Sequence, residues 1–294
     1  MAAYEMPDMP SDEFALWQTL LEKRTGLWLP ESRKVFLIAA LTRHLKEKGL
    51  NNFSELYSKL DAGAISVLDW ATLVDSLTVH ETCYYRDAAS LSLFANYCRN
   101  KVLDGLQKTP QRPQHIQVWS VGCSTGEEAY TLAIELDKVN VGLKESNNKE
   151  MYYGITAIDI SYPSLAVARE GIYAGRQLDF VPATAKNLYF EKLADDYFQI
   201  KPHIRQRTCF IQGNVLELGK KNKQEFDVIY CQNVLIYFRK ERKQEVIRQL
   251  TKRLKPGGLL VLGHGETTEV DNKELTRVDN KQCLAYLRNS ETVS

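Results

Sequence analysis

The chain has 294 residues, 44% of them hydrophobic and 26% charged, an ordinary balance for a globular protein with room for two domains. Its net charge of +1 excludes a global field that would draw it to nucleic acid or a membrane surface. The six cysteines form no Cys-x-x-Cys pair and only five histidines accompany them, which argues against a structural zinc site and fits a cytoplasmic protein.

The first ten residues have no basic start and no long apolar core, so they do not read as a signal peptide. The longest apolar run, Val35–Leu41, is too short to span a bilayer. Residues 12–78 read as consecutive helices. Ser11 or Asp12 caps the first, which carries Phe14, Leu16, Trp17, Leu20 and Leu21 and stops at Gly26. Pro30 starts a second that ends at Gly49, with Ile38, Leu41 and Leu45 on one face and Arg43, Lys46 and Glu47 on the other. Asn52 caps a third through Leu60, and residues 65–77 make a fourth. Residues 20–60 hold eight basic and four acidic side chains, a modest basic patch that also suits a plain solvated face.

Thr78–Asp87 links these helices to a fifth over 88–104, followed by a proline-rich surface loop over 107–114. From 115 onward strands and helices alternate: strand His115–Val121, helix Glu127–Val139, strand Met151–Asp159 and a helix over 161–171. An irregular stretch over 172–206 holds a short helix near Ala183–Phe190 and weak strand signals after Tyr197. Then come strands Thr208–Gln212 and Phe226–Cys231, a helix over 240–254, a Lys255–Gly258 turn, strand Leu259–Leu262 and a last strand, Cys283–Leu287. This alternation predicts an α/β fold: a mostly parallel, Rossmann-like sheet covered on both faces, with ligands beyond the strand carboxyl ends.

The chemistry gathers at those ends. Val118–Val121 runs through Gly122-Cys-Ser-Thr-Gly126 into a helix that opens on Glu127-Glu128. The glycines let backbone approach a ligand closely. The carboxylates would repel a pyrophosphate but suit an ammonium group or ribose hydroxyls, and S-adenosylmethionine carries both without a phosphate. Asp159 ends the second strand, placed to accept from both ribose hydroxyls. It lies 37 residues beyond Gly122, against roughly 20 in a dinucleotide fingerprint, and polar Asn140–Glu150 absorbs part of the excess. Gln212-Gly-Asn-Val215 offers an amide and backbone to an adenine edge, and Cys231–Phe238 lies on the methyl-donor side. Each has a plainer role when taken alone: a tight turn, a helix cap at Asp159, loop support from Asn233, packed aromatics at Tyr84 and Tyr85. Their joint occurrence in this order carries the reading.

With these segments the chain resembles the chemotaxis receptor methyltransferases, the CheR family. The matching stretches are His80-Glu-Thr-Cys-Tyr-Tyr-Arg-Asp87, Gly122–Glu128, Ala157-Ile-Asp159, Gln212-Gly-Asn214, Asn233-Val-Leu-Ile-Tyr-Phe238 and Leu254–Leu259 through Gly263-His-Gly-Glu266. With the helical N-terminus they cover nearly the whole chain. The Lys-Pro-Gly-Gly turn recurs in many methyltransferases, whereas the tyrosine-pair and Asn-Val-Leu-Ile-Tyr-Phe segments are far more specific. The resemblance implies an N-terminal helical receptor-recognition domain over 1–78. It implies an S-adenosylmethionine-binding catalytic domain over 79–294, with a small β-subdomain at about 172–212.

It also implies methyl transfer from S-adenosylmethionine to glutamate side chains on the cytoplasmic helical domain of a chemoreceptor, leaving S-adenosylhomocysteine. Cofactor contacts are expected at Thr82, Arg86, Gly122, Glu128, Asp159, Asn214, Val215, Asn233 and Val234, with Arg86 and Tyr237 facing the reacting centre. A glutamate nucleophile is already ionised at neutral pH, so neither a general base nor a metal is required. A monomer that neither binds nucleic acid nor inserts into a membrane is expected.

Several positions depart from the family's usual residues: Ala39, Ala40, His80, Ala129 and Gln232. Gln199–Cys209 also lacks the glycine-containing loop with which tether-binding members dock a receptor's C-terminal pentapeptide, so independence of such a tether is expected. The amino-methylating Asn/Asp-Pro-Pro-Tyr/Phe turn and the Pro-Cys nucleophile of nucleic-acid methyltransferases are missing. The acidic helix start and the absence of Gly-x-Gly-x-x-Gly disfavour a dehydrogenase. The remaining alternative is a cofactor-binding scaffold on receptor arrays without turnover, against which Arg86 and Tyr237 argue.

Overall fold

The computed structural model describes residues 8–78, 81–217, 224–266 and 270–290; His80 lies outside them. Four helices come first: α1 (Ser11–Thr25), α2 (Lys34–Lys48), α3 (Phe53–Asp61) and α4 (Val67–Leu77). They enclose an apolar core of their own that includes Phe14, Trp17, Leu21, Leu41, Leu56 and Leu73. Phe14, Trp17 and Leu21 follow the helical i, i+3, i+7 spacing that places them on one stripe. Leu16 falls off that stripe and is exposed. Neither Ser11 nor Asp12 caps α1; Pro10 precedes it without a side-chain cap, and Ser11 is already helical. Asn52 does cap α3, its Oδ1 accepting from Glu55 N at 2.8 Å, an arrangement worth about 1 kcal/mol. Pro30 opens a 3-10 turn, Glu31–Arg33, before α2 begins.

The rest of the chain follows as α5 (Ala88–Lys108), β1 (Gln114–Val121), α6 (Glu127–Asn147), β2 (Met151–Asp159), α7 (Tyr162–Glu170), β3 (Ile172–Ala174), α8 (Ala183–Tyr189), β4 (Phe190–Lys192), β5 (Tyr197–Ile200), α9 (Pro202–Arg205), β6 (Thr208–Gln212), β7 (Phe226–Cys231), α10 (Lys240–Arg253), β8 (Leu254–Leu262), β9 (Leu275–Arg277) and β10 (Leu284–Arg288). One sheet has the order β6-β2-β1-β7-β8-β10-β9, the first five strands parallel and the last two antiparallel. All of β7 is buried, as a strand covered on both faces requires. Separate apolar clusters fill the two faces. The strand order reverses between β1 and β7, so the crevice beyond their carboxyl ends is the switch point where such sheets bind ligands.

Differences from the sequence reading are local. Helix α6 continues to Asn147, so helix rather than loop fills most of the long spacing from Gly122 to Asp159. The Lys-Pro-Gly-Gly segment is the irregular start of β8, with a register shift opposite Phe226–Val228 and Gly257 at φ 71°. Strands β3, β4 and β9 span three residues each, too few for an alternating pattern to register. Strands β3, β5 and β4 form a separate antiparallel sheet, while β6 joins the large one. Among the described residues, no helix is long and apolar enough to cross a membrane.

Candidate active site

A cavity open to solvent at its mouth lies beyond the carboxyl ends of β1, β2, β6 and β7. Thr82, Arg86, Gly122, Glu128, Asp159, Asn214, Val215, Asn233, Val234 and Tyr237 all lie on its wall.

The wall after β1 is a self-bracing turn. Gly122 sits at φ 78°, and a Cβ there would fall 2.2 Å from Val234 Cγ2, so conformation and space both demand glycine. Gly122 N and Cys123 N donate to Ile158 O at 2.8 and 3.0 Å. Asp159 accepts from Ser124 N at 2.7 Å through Oδ2 and from Ser161 N at 2.8 Å through Oδ1. Asp159 thus fastens the turn, and the cap of α7 is Ser161 instead. A carboxylate oxygen accepts more than one hydrogen bond, so this bracing is compatible with holding a ribose. Ser124 Oγ is buried in this turn without a hydrogen-bond partner among the described residues, a hydroxyl to which the sequence reading gives no role.

Gly126 serves packing rather than the ligand. A Cβ there would come 2.9 Å from Ala168 Cβ, and the residue does not line the cavity. The acidic pair also divides. Glu127 is buried and accepts from Thr125 Oγ1 at 2.6 Å and Gln177 Nε2 at 3.0 Å, bracing the turn after β3. Glu128 alone lines the cavity, accepting from Ser120 Oγ at 2.7 Å. Burial pushes its carboxyl up to about 8; Glu266 and Asp159 add to the rise, and Ser120 and Arg86 oppose it. A cation brought beside it favours the ionised form again.

The linker supplies Arg86. Tyr84 is fully buried, edge-on to Tyr173 and Phe190. The Tyr85 ring lies against Lys138, whose Nζ donates to its hydroxyl at 3.0 Å. Arg86 is exposed at the cavity wall, Nη1 donating to Glu81 O at 2.8 Å. Sending consecutive residues in different directions requires Tyr85 at φ 56°, a sparsely populated conformation for a bulky side chain. Ser124 and Asn233, at φ 47° and 61°, share that handedness on the same cavity. Such strain gathers at functional sites.

The remaining wall joins distant parts of the chain. Asn233 leads into a 3-10 turn, Leu235–Tyr237, and Tyr237 O accepts from Trp28 N at 2.9 Å. The Asn214 amide, expected at an adenine edge, is engaged elsewhere: Nδ2 donates to Arg24 O at 3.0 Å and Oδ1 accepts from Leu216 N at 2.9 Å. Each of these bonds leaves one further donor on Nδ2 and one lone pair on Oδ1. Gln232 is buried, with Nε2 donating at 2.9 Å to Asp87, the cap of α5. Thr25 and Leu27 from the end of α1 also line the cavity. The sequence marks Gly26 only as a helix stop; its role against the far end of the chain depends on contacts no local pattern records.

The parallel sheet, the switch-point cavity and its carboxylate-bearing turn define a nucleoside-cofactor enzyme of the Rossmann-like methyltransferase class. Residues 12–78 match the family described as CheR methyltransferase, all-alpha domain, and residues 80–283 match CheR methyltransferase, SAM binding domain. The chain belongs to the CheR methyltransferase family. It is 30% identical over 272 residues to a chemotaxis protein methyltransferase of Borreliella burgdorferi, covering 91% of this chain and 92% of that one. It is 31% identical over 290 residues to chemotaxis protein methyltransferase 1 of Vibrio cholerae, covering 94% and 96%. Its cofactor is S-adenosylmethionine. The cavity suits that molecule: Glu128 and Asp159 present carboxylates to its cationic and hydroxyl groups, Ser124 offers an orphaned hydroxyl, and Val121, Ile158 and Val215 provide apolar wall.

Proposed function

We propose that the protein methylates glutamate side chains on the cytoplasmic helical domain of a chemoreceptor, with residues 1–78 docking the receptor and 79–294 performing the transfer. The observation that carries this reading is charge placement. Arg86 stands exposed on a wall whose other described charged residues, Glu81, Asp87, Glu128 and Asp159, are all acidic. Bound S-adenosylmethionine supplies an activated methyl group on a positively charged sulfur. The less exposed carboxylates of Glu128 and Asp159 suit that cation, and the exposed guanidinium suits an incoming carboxylate.

The residues have a limited task, because an ionised glutamate needs no base. The site must align the nucleophile. Moving a carboxylate out of water costs several kcal/mol unless it is paired. Arg86 offsets that cost through charge-assisted, geometrically fixed hydrogen bonds, and Tyr237 adds a phenol at the same mouth. Arg86 holds the neutral ester less tightly than the carboxylate, which favours release.

Independence of a receptor's C-terminal tether is supported by the short route from β5 to β6. Gln199–Cys209 contains no glycine, and α9 turns the chain straight back to the large sheet. The test is methyl-labelled S-adenosylmethionine with cytoplasmic receptor fragments, made with and without their terminal pentapeptide. Alkali-labile label on both forms is expected. Label only on tailed fragments would overturn the independence. Absence of label on every fragment, with cofactor binding measured by calorimetry, would replace the enzyme reading with a scaffold.

A further inference from the structure

Glu266 is 2% exposed and does not line the cavity, yet its carboxylate sits where the loop after β7 turns. Oε1 accepts from Leu235 N at 2.9 Å and Oε2 from Gly263 N at 2.7 Å. The backbone N–H groups of Asn233 and Ile236 face the same carboxylate. Four main-chain donors from two separate segments converge on one anion. Those of Leu235 and Ile236 open the 3-10 turn and have no carbonyl within the turn to serve them. A carboxylate among convergent N–H groups fills such a nest. The fit is close: a Cβ on Gly263 would lie 2.2 Å from Oε2. Lys243 Nζ donates to Glu266 O at 2.7 Å and ties the corner to α10.

We propose that Glu266 is the positioning residue for the loop Asn233–Tyr237, setting where Asn233, Val234 and Tyr237 stand in the methyl-transfer site. This rests on the reading of the protein as a glutamate methyltransferase. The loop meets the cavity at three places. Asn233 holds a left-handed backbone at φ 61°, Val234 fills the space that Gly122 leaves, and Tyr237 O receives Trp28 N. Releasing the anion strands buried N–H groups and lets the loop relax. Cofactor turn and reacting mouth then lose their common spacing, although Glu266 itself does not line the cavity.

Glu266→Gln keeps the size but replaces one acceptor with a donor facing N–H groups. Glu266→Asp keeps the charge but shortens the reach. Asp227→Asn is the control. Asp227 is an equally buried carboxylate bonded to Gln117 N and paired with Lys101 and Lys255, away from the cavity. In Glu266→Gln, the amides of Asn233, Leu235 and Ile236 should exchange with solvent about tenfold faster or more. Its kcat should fall about thirtyfold, with KM for the receptor fragment within about threefold of wild type. Glu266→Asp should lie between the two. Asp227→Asn should lose thermal stability yet keep those amides and kcat within about twofold of wild type.

Loop exchange in Glu266→Gln as slow as in wild type would overturn the proposal, as would an unchanged kcat. If that variant does not fold, unchanged exchange and kcat in Glu266→Asp would do the same. Should wild type methylate no receptor fragment, the methyl-transfer reading fails separately, and amide exchange still decides what Glu266 holds.

Discussion

On one side of the cavity, Gly122, Ser124, Ile158 and Asp159 hold one another through backbone bonds at the ends of two paired strands, β1 and β2. On the other, Asn233–Tyr237 is held by Glu266 after β8 and by Trp28 beyond α1. The helical unit reaches this second wall repeatedly. Asn214 bonds Arg24 O, and Arg239 stacks on Trp28 at 3.3 Å and pairs with Glu22. The first wall is braced mainly within the sheet domain, its one side-chain link to the helical unit running from Ser161 to Asp75 on α4, whereas the second is held from both ends of the chain. Perturbing the helical unit should therefore register in cofactor affinity as well as in receptor docking.

The largest expected effect belongs to neither wall. Arg86 is exposed and donates to the backbone of its own linker, so Arg86→Ala should fold normally, with a melting temperature close to wild type. On the proposed role, the substitution removes the charge that would hold the incoming carboxylate, and turnover should fall about a hundredfold or more. Near-normal methylation of a receptor fragment by this variant would remove Arg86 from the reacting centre and weaken the contrast of charge between rim and interior.

Glu128→Gln probes the first wall. The folded protein holds the Glu128 carboxyl at about 8, against an ordinary 4.5, chiefly by burial. The unfolded chain ionises it more readily, so this residue costs stability as pH rises above about 4.5, and the cost levels off above about 8. Glu128→Gln should then be more stable than wild type by an amount that grows over that window, on the order of 1–3 kcal/mol, discounted for partial solvent access. Cofactor affinity should move the other way, falling about tenfold. Wild-type affinity should rise toward pH 8 as the carboxylate forms, and the variant should lack that component. A variant that binds the cofactor as well as wild type across this range would return Glu128 to a purely structural role.

Gly26→Ala probes the second wall from the helical side. Gly26 ends α1 at φ 82°, and an added Cβ would lie 2.4 Å from Phe238 Cε1 and 2.7 Å from Leu216 Cδ1. Gly49 ends α2 at φ 63° with nothing within 4 Å of a Cβ. Alanine at 49 should cost about 1 kcal/mol for the left-handed backbone alone. At 26 the clash adds to it, for a total of about 2–4 kcal/mol. Chemical unfolding measures both. Only Gly26→Ala should also weaken cofactor binding, by about fivefold, because Leu27, Asn214 and Tyr237 share the displaced corner. Equal effects at the two glycines would show that the helical unit is not part of this wall.

The same contrast explains what the sequence made legible. The alternation of strands and helices, the glycine turn and Asp159 are written in short stretches with a period or a spacing. All ten nominated residues come to one cavity because strand ends of a parallel sheet must converge. What escaped has long-range causes. Glu127 and Glu128 are indistinguishable by type, and only packing sends one toward Gln177 and the other into the cavity. Asn214 lines the cavity and also donates to the end of α1, a second role that only the folded contact reveals. Glu266 stands in a recognised motif, but the turn it holds at Leu235 lies 31 residues upstream.

The smallest effect separates side chain from backbone within the second wall. Tyr237 contributes its carbonyl to Trp28 N and is one of the residues lining the cavity. Tyr237→Phe deletes only the hydroxyl, so the Trp28 bond and the seating of the loop should persist. If the hydroxyl helps orient the glutamate, kcat should fall about threefold to fivefold with cofactor affinity unchanged, as for a single neutral hydrogen bond lost in the transition state. A parallel loss of cofactor affinity would place the hydroxyl at the cofactor instead. An unchanged kcat would leave the backbone carbonyl as the part of Tyr237 that matters, and the second wall as a frame whose chemistry is supplied by Arg86 alone.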